Sequence, residues 1–348
     1  MSLNIPNPAL PTPSTIVLTG ANGYIASPIA NQLLLQGHHV RGTVRSPSKT
    51  AWLAAHFEKT YGPGKFTLHE VADVEKDGAF DSVVDAIMNF SPNGPTPEET
   101  ITSNVNATLS ILRSAARFAA PSGSPDKPGV KRFIYTSSSG AAAMPRPGEP
   151  YTVDATSYNH QAVAIALSGK GPKGMAGGYI TYSAAKTRAE LELWKWYEEE
   201  KPQFVLNLIV PSAALGKVLL PEHQGFPTAV GAMRPLWQGN VMPEFVAMFP
   251  APRIHIAALL LPDIQSERLI AYAGKFNINN LLAAFRQIQP DRTFPDDLPD
   301  LPSDKGTIAN ERATQLMECV QGGKGWTSLK DCLAPLAEQY AAAEAESK

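Results

Sequence analysis

The sequence predicts an α/β fold with a doubly wound parallel sheet, and three stretches predict it. Residues 15–35 read TIVLTGANGYIASPIANQLLL: a short apolar run, a turn bearing two glycines, then apolar positions at helical spacing. Residues 133–138, FIYTSS, are a second apolar run ending in small hydroxyl residues. A strong helical pattern runs from Tyr182 to about Glu200. Buried parallel strands are near-continuous apolar runs, and helices must cover both faces of the sheet they form.

In the first unit, Ile16-Val17-Leu18 is the strand and Ile25, Ile29 and Leu33 mark one face of the helix. Gly20 permits a tight turn, Gly23 lets backbone approach a pyrophosphate, and Ala26 is small enough for close helix–strand packing. Phosphates would lie over the helix N-terminus, where free N–H groups and the helix dipole favour negative charge. Gly20, Gly23, Tyr24, Ile25 and Ala26 are therefore the candidate cofactor-binding residues of this Rossmann-type turn. The spacing is TGxxGxxA, and taken alone such a turn also serves shape only. Pro28 falls near the end of the first helical turn and removes a donor there.

Residues 1–14 hold four prolines and read as an extended, flexible lead-in. The second strand covers His38 to Val44, with Arg45 at its far end. That is where this fold reads the adenosine ribose: an acid would bind a free 2′-OH, whereas Arg45 suits a 2′-phosphate and so NADPH. Residues 66–72 read as the third strand, followed by Asp73, which can accept from an adenine amino group. A helical pattern covers 77–89. The fourth strand should follow, yet three prolines within residues 92–97 do not make a central strand. The strand is shortened or missing, unless residues 86–91 replace it.

Beyond it, 98–120 is helical, 133–138 a strand, and 140–178 a long irregular region rich in Gly, Pro and Ala. After the helix from Tyr182, residues 204–210 form a strand closed by Pro211. Residues 221–252 read as loop with one helix. Helical patterns at 254–261, 278–288, 309–320 and 327–345, and a strand at 268–273, complete the chain. The domains expected are a cofactor-binding unit over 15–211 and a smaller C-terminal substrate-binding lobe over 212–348, from which the 268–273 strand returns to the sheet.

The chain has 348 residues, 43% hydrophobic and 18% charged, with formal charge −2. That balance recruits neither nucleic acid nor an anionic membrane. No stretch reaches the roughly 18 apolar residues of a membrane span, and no signal-peptide pattern opens the sequence, so a cytoplasmic protein is expected. The two cysteines, Cys319 and Cys332, and the seven histidines show no metal-ligand spacing.

Tyr182 and Lys186 stand four residues apart and project from one helix face. A phenol is a poor acid at neutral pH, and a neighbouring ammonium stabilises its phenolate. Ser138, at the carboxyl end of its strand, can polarise a carbonyl from the other side. YxxxK alone arises by chance, and a TSSSG stretch alone is a strand-end turn. Their order after the glycine turn and the basic strand end gives them weight.

With those motifs in that order, the chain resembles the extended short-chain dehydrogenase/reductase superfamily. The branch it resembles holds dihydroflavonol reductases, cinnamoyl-CoA reductases and fungal aldehyde (carbonyl) reductases. The resemblance covers nearly the whole chain, and rests further on residues 39–45 (HVRGTVR), 131–138 (KRFIYTSS), 182–190 (YSAAKTRAE) and 276–279 (FNIN). It implies Ser138, Tyr182 and Lys186 as catalytic residues, with Lys186 also holding the nicotinamide ribose. Gly20, Gly23 and Ala26 would lie against the pyrophosphate, Arg45 at the 2′-phosphate, Asp73 at the adenine, and Pro211 beside the nicotinamide carboxamide. Asn104 matches a helix motif of extended members, with Ala107 replacing its glycine. The implied activity is NADPH-dependent reduction of an aldehyde or ketone, of a kind found in secondary metabolism, by a monomer or homodimer.

The sequence departs from the family at the fourth strand and again before Ile254. Two other readings therefore stand beside the reductase: a sugar-nucleotide epimerase or dehydratase, and a cofactor-binding but catalytically impaired relative. The substrate pocket would draw on residues 140–178 and 212–253. Met144, Met175, Phe226, Met233, Trp237, Met242 and Phe245 point to an apolar or aromatic carbonyl compound.

Overall fold

The computed structural model describes residues 3–76, 78–80, 96–119, 129–240, 247–249, 253–301 and 304–346. The N-terminal unit is strand β1 (Thr15–Leu18), helix α1 (Ala26–Leu35), β2 (His39–Val44), α2 (Ala51–Tyr61) and β3 (Phe66–Glu70). β1 pairs in parallel with β2 from Thr15↔His39 to Leu18↔Gly42, and β2 pairs in parallel with β3. α1 buries Ile29, Ala30, Leu33 and Leu34, the stripe its apolar spacing predicts. Phe57 of α2 meets Phe66 of β3 with ring centroids 4.7 Å apart.

A second parallel ladder carries the catalytic candidates: β4 (Arg132–Thr136), β6 (Val205–Pro211) and β8 (Arg268–Ala271), with β6 in the middle. α3 (Pro97–Arg117) and α5 (Gly174–Glu200) lie side by side against it. α3 starts where it does because Thr96 and Glu99 form a reciprocal capping box and Pro97 occupies the first turn. α8 (Arg253–Leu260) packs on β4, β6 and α1, and so joins the two ladders into one core. The strand at 268–271 thus returns to the sheet from the C-terminal part of the chain.

The rest of that part builds a separate core. α7 (Thr228–Trp237), α9 (Ile278–Ile288) and α11 (Leu329–Glu346) gather Trp237, Phe285, Phe294 and Tyr340, while the short α6 (Pro221–Gln224) buries no residue. α10 (Glu311–Val320) instead faces the main core. Two small pairings complete the fold: β5 (Pro150–Val153) with β10 (Lys305–Ile308) in parallel, and β7 (Ala247–Phe249) with β9 (Gly274–Phe276) antiparallel.

Several expectations are corrected. Residues 140–178 are not irregular throughout: they hold a 3-10 turn (Ser139–Ala141), β5 and helix α4 (His160–Leu167). Tyr182 does not open its helix, which starts at Gly174. The glycines at 174, 177 and 178 read as breakers, yet the packing of α4 on α5 overrides that local preference. The described residues within 221–249 hold two helices and a strand, and β10 lies where no strand pattern stands out. The lead-in is anchored rather than loose. Leu3 and Leu10 are buried in the main core, Asn4 N–H donates to Val320 O, and Ala9 N–H donates to Leu260 O.

β1, read as buried, is partly open: Val17 is 40% exposed. Among the described residues β1 pairs only with β2, and β4 only with β6. The expected helix at 77–89 and the replacement strand at 86–91 lie outside the described residues, apart from 78–80, a turn with Phe80 buried.

Candidate active site

The site is assembled where β4 runs out. Ser138 has extended backbone (φ −156°, ψ 153°) and caps the 3-10 turn, its Oγ accepting from the Gly140 N–H at 3.2 Å. The turn lies directly on α5: a Cβ added to Gly140 would stand 2.5 Å from the Ser183 hydroxyl. From the other side Asn159 holds the turn, its side-chain amide donating to Gly140 O at 2.8 Å.

Lys186 of α5 donates from Nζ to Thr136 O at 3.1 Å and lies 5.3 Å above the Tyr135 ring. That contact fixes the lysine at the carboxyl end of β4, two residues from Ser138. Tyr182, one turn earlier on the same helix face, is half-buried, with its ring 6.3 Å from that of Tyr179. Desolvation pushes the Tyr179 phenol above its ordinary range, opposed by hydrogen bonding to Ser183 and Ser139. The structure therefore places Lys186 at the strand end that leads into Ser138, with Tyr182 one turn earlier on the same helix.

Ser137, the neighbour of Ser138, is engaged elsewhere. Its hydroxyl donates to the carboxylate of Glu190, which is fully buried.

The glycine turn has the form the sequence predicts. Gly20 adopts φ +53°, the left-handed region, and Gly23 N–H donates to Gly20 O at 2.7 Å. Ala21 N–H ties the turn to Thr43 O at 3.0 Å. Gly42 makes this closeness possible, because a Cβ there would lie 2.6 Å from the Ala21 Cβ and 2.7 Å from the Phe66 ring. α1 has no side-chain cap at Ile25, so the N–H groups of its first turn are left without a capping side chain. Ile25 and Ala26 are half-buried beside it.

Arg45 is exposed just past β2 and, among the described residues, has no hydrogen-bond or ion-pair partner. Residues 38–49 hold no Asp or Glu, and the acid nearest in register is Glu70 of β3, which pairs with Val44. Asp73 is exposed and accepts from the Glu75 N–H at 3.0 Å. Pro211 is the buried last residue of β6, paired with Ala271. Asn104 donates to Thr100 O within α3.

Tyr24 departs from its expected surroundings. Its hydroxyl donates to Gly216 O at 3.1 Å, the side chain packs on the C-terminal core, and desolvation pushes the phenol up. Gln224 reaches the same turn, donating to Asn22 O at 2.9 Å and the Ser27 hydroxyl at 3.0 Å. The C-terminal lobe is thus fastened to the glycine turn by contacts that no motif announces. Of the expected pocket residues, Met233 and Trp237 are core, Met175 is 85% exposed, and Met242 and Phe245 lie outside the described residues. Among the described residues no group of His, Cys, Asp and Glu could hold a metal, and no helix is long and apolar enough to cross a membrane.

A parallel-sheet fold with a glycine-turn anion site and a Ser, Tyr and Lys constellation at the strand ends defines a nicotinamide-dinucleotide class of protein. A profile of the NAD dependent epimerase/dehydratase family matches residues 16–165. Aldehyde reductase 2 of Sporidiobolus salmonicolor is 35% identical over 95% of this chain and 97% of its own length. Ketoreductase adrE of Penicillium rubens is 32% identical over 93% of this chain and 96% of its own. In structure, Gre2 of Candida albicans in complex with NADPH superposes with a TM-score of 0.78, covering 95% of this chain and 99% of Gre2 at 20% identity. The chain belongs to the extended short-chain dehydrogenase/reductase superfamily, in the branch of aldehyde reductases and ketoreductases.

Proposed function

We propose that the protein is an NADPH-dependent reductase of an aldehyde or ketone. The observation that carries this reading is the Lys186 Nζ bond to Thr136 O, which sets the Tyr182 helix against the Ser138 strand end. Relatives named aldehyde reductase and ketoreductase support it over nearly the full chain.

The residues present fit the cofactor. The positive-φ turn at Gly20 and the uncapped first turn of α1 suit a pyrophosphate. Arg45, in a strand end that itself carries no acid, suits a 2′-phosphate, and Asp73, three residues past β3, suits the adenine. When bound, the cofactor supplies a hydride to the carbonyl carbon. Tyr182 donates its phenolic proton to the carbonyl oxygen as the C–O π bond opens, which gives the alcohol. The Lys186 ammonium stabilises the phenolate left behind, and Ser138 Oγ–H donates to the carbonyl oxygen and orients it. Tyr182 is then reprotonated from solvent. An apolar or aromatic substrate fits the composition of residues 140–178 and 212–240.

The test is turnover on a panel of aromatic and aliphatic aldehydes and ketones with NADPH and NADH in parallel. Reduction with a preference for NADPH is the expected result. Binding of NADPH without reduction of any carbonyl would favour the catalytically impaired reading. Tightly retained NAD with no response to added NADPH would favour the epimerase or dehydratase one.

A further inference from the structure

Glu190 lies four residues beyond Lys186, as Lys186 does beyond Tyr182, so the three share one face of α5. Its side chain is fully buried and carries two partners of different kinds. One is the Ser137 hydroxyl; the other is Arg268 of β8, whose Nε stands 2.6 Å from the carboxylate. Arg268 is buried as well. Its Nη1 donates to Ser157 O at 3.0 Å and Ala155 O at 3.2 Å, and its guanidinium lies 4.4 Å over the Tyr158 ring. The next residue, Asn159, holds the 3-10 turn through Gly140 O.

These contacts close a loop around the catalytic candidates. From Glu190 the path runs through Ser137 to the Ser138 backbone, and through Arg268 and residues 154–159 to the far side of the same turn. Lys186, through Thr136 O, and Thr187, whose hydroxyl donates to Ala141 O at 3.5 Å, also tie the helix face to the strand end. A buried charge pair is weak evidence of stabilisation, since burial penalises both ions and Arg268 Nη2 is left without a hydrogen-bond partner, but such a pair can specify one arrangement of the groups it joins.

We propose that Glu190 is a positioning residue: its carboxylate, held by Arg268, fixes Ser137 and thereby sets Ser138 against Tyr182 and Lys186. It touches neither substrate nor cofactor. Mispositioning a reacting group by about 1 Å can cost on the order of a hundredfold in rate, so the loss should fall on kcat. The inference rests on the reductase reading for its kinetic arm only.

The experiment compares Ser137→Ala, Glu190→Gln and the double variant with the wild type. Ser137→Ala leaves the Glu190–Arg268 pair intact and so keeps the test open if Glu190→Gln folds poorly. Expected are a fall in kcat of about ten- to a hundredfold in each single variant, with KM for NADPH unchanged, and a double variant no slower than the slower single one. In parallel, hydrogen exchange of the cofactor-free protein should speed up at residues 137–143 in both single variants. This arm needs no turnover, so a wild type that reduces no carbonyl sinks the reductase reading while exchange still decides the role of Glu190. Wild-type kcat and wild-type exchange in Ser137→Ala overturn the proposal, as do kinetic losses that multiply in the double variant.

Discussion

The two halves of the sheet are held in different ways. Around β1 to β3 the glycine turn is shaped by backbone bonds, by Gly42 and by two contacts from the C-terminal lobe. Val17 is partly exposed, and among the described residues Arg45 has no hydrogen-bond or ion-pair partner. Around β4, β6 and β8 every residue of β8 is buried and a buried ion pair crosses between helix and sheet. On the proposed reading the first half must admit and release a large anion, which an open, solvated cation suits. A proton-transfer site gains more from fixed geometry, because small displacements are costly in rate.

That contrast can be broken at several points. The largest effect belongs to Tyr182→Phe, which should lower turnover by roughly 10²- to 10⁴-fold and leave NADPH affinity intact. A variant that turns over at the wild-type rate removes the phenol from the mechanism. Next is stability: Arg268→Ala leaves the Glu190 carboxylate buried and unpaired, and should cost about 3–5 kcal/mol in urea unfolding. Arg45→Ala, at an exposed cation, should leave unfolding unchanged and weaken NADPH binding. A charge-assisted contact of about 1.5–3 kcal/mol corresponds to a ten- to hundredfold loss, with NADH binding unaffected. If Arg45→Ala destabilised the fold more than Arg268→Ala, the division between an open and a locked half would be wrong.

The smallest effect concerns pH. His38 is buried, its Nδ1 accepts from the Ser14 N–H at 3.2 Å, and desolvation lowers its pKa, with a smaller contribution from His39. The fold therefore favours neutral imidazole. Above the unfolded value near 6.5 both states are neutral and nothing is lost. Below it the unfolded chain takes up a proton that the fold resists, so stability declines as pH falls through that range. Urea midpoints at pH 7.5 and 5.5 should differ more for the wild type than for His38→Gln, and equal slopes would remove His38 as the cause.

What the sequence made legible follows from where the signal is local. The α1 stripe, the glycine turn and the helix at 278–288 are written in adjacent residues, and the structure returns them within a residue or two. Tyr182 and Lys186 were legible as a pair because one helix carries both. Ser138 was legible from its strand end and the family resemblance, but the bond from Ser137 to Glu190 was not, since it joins two separate elements. Glu190 itself stood in the 182–190 stretch, but a carboxylate four residues past a lysine normally reads as solvated. Arg268 opens a strand nearly eighty residues later, and no pattern marks it as buried. The C-terminal contacts on the turn, from Gly216 and Gln224, link positions about 200 apart, where periodicity carries no information.

The close approach of Gly42 and Ala21 has a consequence for anyone redesigning this chain. The two positions behave as one: strand and turn share a volume that admits a single methyl group. A methyl at position 42 would be invisible to a scan of ligand contacts, yet it would displace the floor beneath the phosphates. A change of dinucleotide preference would be made at the end of this strand, where the fold reads the ribose, and Gly42 gives it a fixed inner boundary.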